Sequence, residues 1–213
     1  MKNAPRRVPV IGLVGGIGSG KSHLARLLRQ KRPVEIVEGD TAGHLVLQQA
    51  VVKEELRKVF GDGIFTSAGD VDRRRIRGLV FGPGPEHKAA LKKLEEVVHP
   101  RIREILTRQI AQAHANPGVE AIILDAAILL EAGWRDFCDT VVFIDTPFEQ
   151  RLARVMHSRG WSRDELKFRD ESQFPVERKR KEAEHVVGNS GDAQAALSQL
   201  EEVYLCVLSR THP

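Results

Sequence analysis

The chain has 213 residues, 41% hydrophobic and 29% charged, with a net charge of +4 and a pI near 9.2. That is enough chain for one soluble domain with a sizeable core and an inserted flap. Aromatic content of 5% without a basic stripe argues against nucleic acid as a partner, and no apolar run is long enough to span a bilayer, which argues against a membrane one.

Val8–Val14 reads as a buried strand. The basic residues before it imitate the head of a signal peptide, but Pro9 interrupts the apolar run and cleavage would destroy the motif that follows, so no leader is expected. That motif, Gly15 to Ser22, matches G-x-x-x-x-G-K-[ST] between a strand and a helical stripe of Leu24, Leu27 and Leu28, the setting a phosphate loop requires. Its glycines let backbone N–H groups turn toward phosphate oxygens, and the helix N-terminus adds its dipole. Lys21 is expected to reach the β- and γ-phosphates of a nucleoside triphosphate and Ser22 to place its hydroxyl on Mg²⁺.

Val34–Asp40 reads as a second strand. Asp40 at its carboxyl end suits a base that takes the proton of an acceptor alcohol, or equally an N-cap for a helix starting near Thr41. Ala42–Phe60 is mainly helical, Gly69–Phe81 is a loop entering a helix capped by Asp70 or Asp72, and Glu86–Ala115 is a long helical stretch that Pro100 should kink or split. Phe81–His87 is short enough to be a turn. Val119–Asp125 and Asp139–Asp145 are apolar runs ending in acids, as in strands buried on both faces of a parallel sheet. Asp125 has the form of a Walker-B acid or of a loop cap, whereas Asp145, next to Pro147, reads as part of a turn.

Pro147–Ser158 is helical and places Arg151 and Arg154 on one face; Arg154 is expected to stabilise a phosphoryl group, whereas Arg178–Lys181 alternates with acids and reads as a solvated face. Glu184–Asn189 is a last strand, and an amphipathic helix closes the chain. Cys138 and Cys206, in apolar surroundings and without metal spacing, read as buried free thiols of a reducing, cytoplasmic compartment. His44 and His99 lack zinc spacing, leaving structural or substrate-contacting roles. Alternating strands and helices predict an α/β fold, a parallel sheet wrapped by helices.

Together these stretches resemble the dephospho-CoA kinase family, from about Val10 to Gly191. Gly12–Ser22 is similar to G-L-T-G-G-I-G-S-G-K-S except at Val14; Glu38–His44 resembles D-A-D-x-x-[AG]-H with Glu38 for the first acid; Leu94–Ile102 resembles L-E-x-x-x-H-P-x-I. Asp125–Glu131 stands where the family has D-x-P-L-L-[FY]-E, with Ala127 and Leu130 departing, and Ala183–Gly191 resembles A-D-x-V-I-x-N-x-G.

The resemblance implies a P-loop three-layer α/β/α kinase of the whole chain: a core of about 8–40, 116–150 and 184–213, a helical CoA-binding region of about 41–115 and a lid of about 151–183. It implies transfer of the γ-phosphate of ATP to the ribose 3′-hydroxyl of dephospho-CoA, with Asp40 as base and Lys21 and Arg154 stabilising the phosphoryl group. ATP would be held by Gly16, Ile17, Gly18, Ser19, Gly20, Lys21, Ser22, His23, Arg154, Asn189 and Gly191, and Mg²⁺ by Ser22. Asp40, His44, Arg75, His99, Asp125, Leu130 and Glu131 would face the acceptor. A monomer or weak oligomer is expected. Two other readings stay open: a P-loop kinase for a nucleoside monophosphate, and a non-catalytic P-loop switch, against which the absence of an N-K-x-D guanine signature weighs.

Overall fold

The computed structural model describes residues 8–82 and 84–211; the basic start before Val8, Pro83 of the expected Phe81–His87 turn and the last two residues of the expected core lie outside them. Five strands, β1 (Val10–Val14), β2 (Val34–Glu38), β3 (Ala121–Asp125), β4 (Thr140–Asp145) and β5 (His185–Gly188), form one parallel sheet in the order β2-β3-β1-β4-β5. The helices are α1 (Lys21–Lys31), α2 (Gly39–Val46), α3 (Ala50–Phe60), α4 (Arg73–Val80), α5 (Pro85–Ala115), α6 (Phe148–Arg159), α7 (Arg163–Asp170), α8 (Val176–Lys181) and α9 (Ala193–Thr211). None among the described residues is long and apolar enough to cross a membrane.

Alternation along the strands explains the layers. Ile11, Leu13, Ile123, Val142 and Ile144 point to one face, where Leu24 and Leu28 of α1 and Leu200 and Tyr204 of α9 bury them. The opposite face of β1 carries Gly12, where an added Cβ would stand 2.7 Å from the Cys138 sulfur and 2.9 Å from Leu129, so a side chain there would displace the packing. Burial pushes the Cys138 thiol up to about 12, which makes it a small apolar filler. Parallel pairing sets Leu13 beside Asp125 and Glu38 beside Asp125, so β1 ends at the centre of a row of strand ends.

The chain divides into two compact units, with breaks between Gly39 and Asp40 and between Arg108 and Gln109. The sheet belongs to one unit. The other, Asp40–Arg108, is helical apart from an isolated bridge between Phe65 and Val71.

Two local expectations change, and one pair of alternatives is decided. The helical stretch after β2 is two helices, with Leu47–Gln49 between them. Pro100 does not split α5, which runs continuously through it; Pro100 and Glu96, whose carbonyl loses its partner, are both exposed, so the lost bond falls on the solvent side of the helix. Asp72 is the cap of α4, accepting from the N–H groups of Arg74 and Arg75, while Asp70 pairs with Lys53 at 2.7 Å.

Candidate active site

The phosphate loop leaves β1 at the middle of the sheet and feeds α1. Gly20 is the N-cap of α1, with φ 91°, no side-chain cap, and no acid in the first turn. The orphan N–H groups of that turn and the positive end of the helix dipole therefore face a ligand without a competing protein carboxylate. Gly18 is also left-handed, at φ 79°. A Cβ on Gly20 would lie 2.6 Å from the Asn189 side-chain nitrogen, and one on Gly18 would lie 2.9 Å from the Arg151 carbonyl.

What crowds these glycines is a set of donors gripping the loop's carbonyls. Ser19 O accepts from Asn189 Nδ2 at 2.7 Å, Thr146 Oγ1 at 2.9 Å and Arg154 Nη1 at 3.0 Å. Arg154 Nη2 donates to Asn189 O at 3.0 Å, and Asn189 N donates to Asp145 O at 2.7 Å, which ties the residue after β5 to the end of β4. The structure thus brings Arg154 and Asn189 to the loop. Both act on its backbone, and Arg154 touches carbonyls rather than projecting over the mouth. Lys21 is buried, with Nζ 3.4 Å from the Gly15 carbonyl. Ser22 is half-buried in the first turn of α1; His23 and Gly191 are exposed.

Arg151, not among the expected site residues, is 4% exposed. Its Nη1 donates to Ile17 O at 3.0 Å and Asp170 Oδ2 at 2.8 Å, and its guanidinium occupies the space a Gly16 side chain would take. Its three-residue spacing from Arg154 was the available signal. Lys179 corrects the reading of Arg178–Lys181 as a solvated face: Arg178, Arg180 and Lys181 are exposed, but Lys179 is buried, 2.8 Å from Glu131. Nothing in an alternating charge run marks which member turns inward. Asp145, read as a turn residue, pairs with Arg180.

Asp125 ends β3 at the strand-end row and is 8% exposed. Leu130 is buried, and Glu131 Oε1 accepts from the Phe174 N–H at 2.8 Å. In the Asp40–Arg108 unit, Asp40 lies in the first turn of α2. Asp40 and His44, four residues apart, share an exposed face of α2. Arg75 Nη1 donates to Gly63 O at 3.1 Å and Phe65 O at 2.8 Å, bracing the turn before α4. His99 is on α5, its pKa lowered by burial.

The family model described as dephospho-CoA kinase matches residues 9–195. A dephospho-CoA kinase of Rhodopirellula baltica is 34% identical over 200 residues, covering 94% of this chain and 91% of the relative. A crystal structure from Thermus thermophilus superposes with a TM-score of 0.80 at 32% identity, covering 95% of this chain and 99% of that one. A dephospho-CoA kinase from Campylobacter jejuni, at 22% identity and a TM-score of 0.60 over 93% of this chain and 96% of its own, shares the fold. With its phosphate loop in place and these matches spanning nearly its whole length, the chain belongs to the dephospho-CoA kinase family.

Proposed function

We propose that the protein transfers the γ-phosphate of ATP to the ribose 3′-hydroxyl of dephospho-CoA, giving coenzyme A and ADP in the last step of coenzyme A synthesis. The observation that carries this reading is the family match over residues 9–195, joined to a complete phosphate loop whose helix has no competing cap. The loop N–H groups and Lys21 cradle the β- and γ-phosphates and spread the charge that develops on the transferring group. Ser22 supplies a hydroxyl for the Mg²⁺ that arrives with the nucleotide, an ion that neutralises phosphate charge.

Asp40 takes the proton of the 3′-hydroxyl as its oxygen bonds to the γ-phosphorus. The bond from that phosphorus to the bridging oxygen breaks, ADP leaves with the electron pair, and the proton passes from Asp40 to water. Arg154 and Asn189 act through the loop backbone they hold, and Arg151 supports its Gly16 side. In the sheet unit Asp125, Leu130 and Glu131 are assigned to the acceptor; in the helical unit His44, Arg75 and His99 are. The segment of about 151–183 covers the nucleotide, because bulk water outnumbers the acceptor hydroxyl and exclusion is required for efficient transfer. The free cysteines suit the reducing cytoplasm.

The test is the purified protein with Mg·ATP and either dephospho-CoA or AMP, with products separated by chromatography. Coenzyme A and ADP in equal amounts are expected. Phosphorylation of AMP alone would replace the acceptor, and slow hydrolysis without any acceptor dependence would replace the kinase reading with a switch.

A further inference from the structure

Lys179 stands in an alternating charge run, yet its side chain is turned inward. It is 1% exposed, and its Nζ lies 2.8 Å from Glu131 Oε1, 2.8 Å from Gln173 Oε1 and 3.2 Å from the Ala127 carbonyl. Since Glu131 Oε1 also accepts from the Phe174 N–H, one ammonium and one carboxylate join the loop after β3 to the chain between α7 and α8. A second pair, Asp170 with Arg151, fixes the other end of that stretch to an arginine that itself donates to Ile17 of the phosphate loop. Asp170–Lys179 is therefore anchored at both ends, and between it and Gly16 lies a cavity of about 400 Å³ whose walls include Gln173, Phe174, Pro175 and Lys179.

For stability alone, a well-packed apolar pair of similar volume does as well as a buried ion pair or better. What the ion pair adds is direction: a cation hydrogen-bonded to a carboxylate, an amide oxygen and a carbonyl has one allowed position. That position lies in the wall of a cavity reaching Gly16, at the start of the loop that holds the triphosphate. We propose that Lys179 is a positioning residue: through Glu131 and Gln173 it holds Asp170–Lys179 as a fixed wall beside the phosphate loop, and this wall keeps water from the phosphoryl group, setting the partition of ATP between the acceptor alcohol and hydrolysis. The inference rests on the kinase reading above and assigns the second half of the covering segment a static role.

The experiment measures ADP and coenzyme A formed from Mg·ATP and saturating dephospho-CoA by wild type, Lys179→Met, Lys179→Arg, Gln173→Met and Leu200→Ala, the last a destabilising control in the core beneath α9. Lys179→Met and Gln173→Met should raise ADP released per coenzyme A roughly tenfold, a loss of water exclusion, and lower kcat more than they change KM for dephospho-CoA. Lys179→Arg, which keeps the cation, should lie nearer wild type. Leu200→Ala should lower the melting temperature and leave the ratio at the wild-type value. If Lys179→Met does not fold, Gln173→Met carries the measurement. A wild-type ratio in the folded methionine variants, or an equal rise in Leu200→Ala, overturns the positioning role. No coenzyme A from the wild-type protein overturns the kinase reading instead, and the proposal with it.

Discussion

Replacing Gly20 by alanine isolates the contribution of the loop's backbone shape. At φ 91° an L-residue incurs the left-handed penalty, ~1–2 kcal/mol. The new Cβ would also stand 2.6 Å from Asn189 Nδ2 and 3.3 Å from Arg154 Nη1, so the amide must retreat from the Ser19 carbonyl it now reaches at 2.7 Å. Losing that buried hydrogen bond costs ~1–2 kcal/mol more. If the roughly 2–4 kcal/mol falls on the binding-competent loop, ATP affinity should drop ~30- to 700-fold. Calorimetric titration with Mg·ATP reads the affinity, and far-ultraviolet circular dichroism checks that the sheet and helices remain. ATP binding by Gly20→Ala within threefold of wild type would refute the account of the loop as a shape fixed by Asn189 and Arg154.

Asp40→Asn keeps the size of the side chain and removes the proton acceptor; turnover should fall roughly a hundredfold or more with ATP affinity unchanged, and undiminished turnover would leave Asp40 a helix-end residue only. His99 supplies a pH prediction whose sign follows from burial: its folded pKa lies below the ordinary histidine value of 6.5, so the unfolded chain binds the proton more readily and stability rises with pH across the interval. The melting temperature should therefore decline as pH falls through about 6.5, and His99→Gln should flatten that decline; an identical slope in the variant would remove His99 as the cause.

Much of the fold was legible because its signals are local and redundant. Apolar runs ending in Asp125 and Asp145, with helical stripes between, admit few solutions other than a covered parallel sheet. The loop from Gly15 to Ser22 was legible because each residue type meets a separate requirement of phosphate binding. The braces of that loop were harder to read. Arg151 and Arg154 follow it by more than a hundred residues, and only the tertiary fold decides that one guanidinium lies over Gly16 while the other reaches Ser19. Lys179 was read wrongly for the same reason: its partner Glu131 lies 48 positions earlier, and an alternating charge run ordinarily faces solvent. The continuity of α5 through Pro100 shows a local rule losing to its surroundings, since the freed carbonyl is on an exposed turn.

The distribution of donors around the loop explains how a neutral stretch of backbone becomes an anion site. In a trans peptide the carbonyl of one residue and the N–H of the next point in opposite directions. The carbonyls of Ile17, Gly18 and Ser19 are turned toward Arg151, Arg154, Thr146 and Asn189. Their peptide partners, the N–H groups of Gly18, Ser19 and Gly20, are thereby aimed away from the braces; that of Ser19 closes the turn onto the Gly16 carbonyl at 3.1 Å, leaving those of Gly18 and Gly20 directed toward the ligand side with the first turn of α1. Satisfying the carbonyls from behind prevents them from facing a triphosphate, which would repel it. Two of the braces are arginines; Arg151 is paired with Asp170, and Arg154 backs the loop with positive charge as well as holding its shape. Charge placed behind the loop attracts the nucleotide while leaving its reactive end to Lys21 and the acceptor.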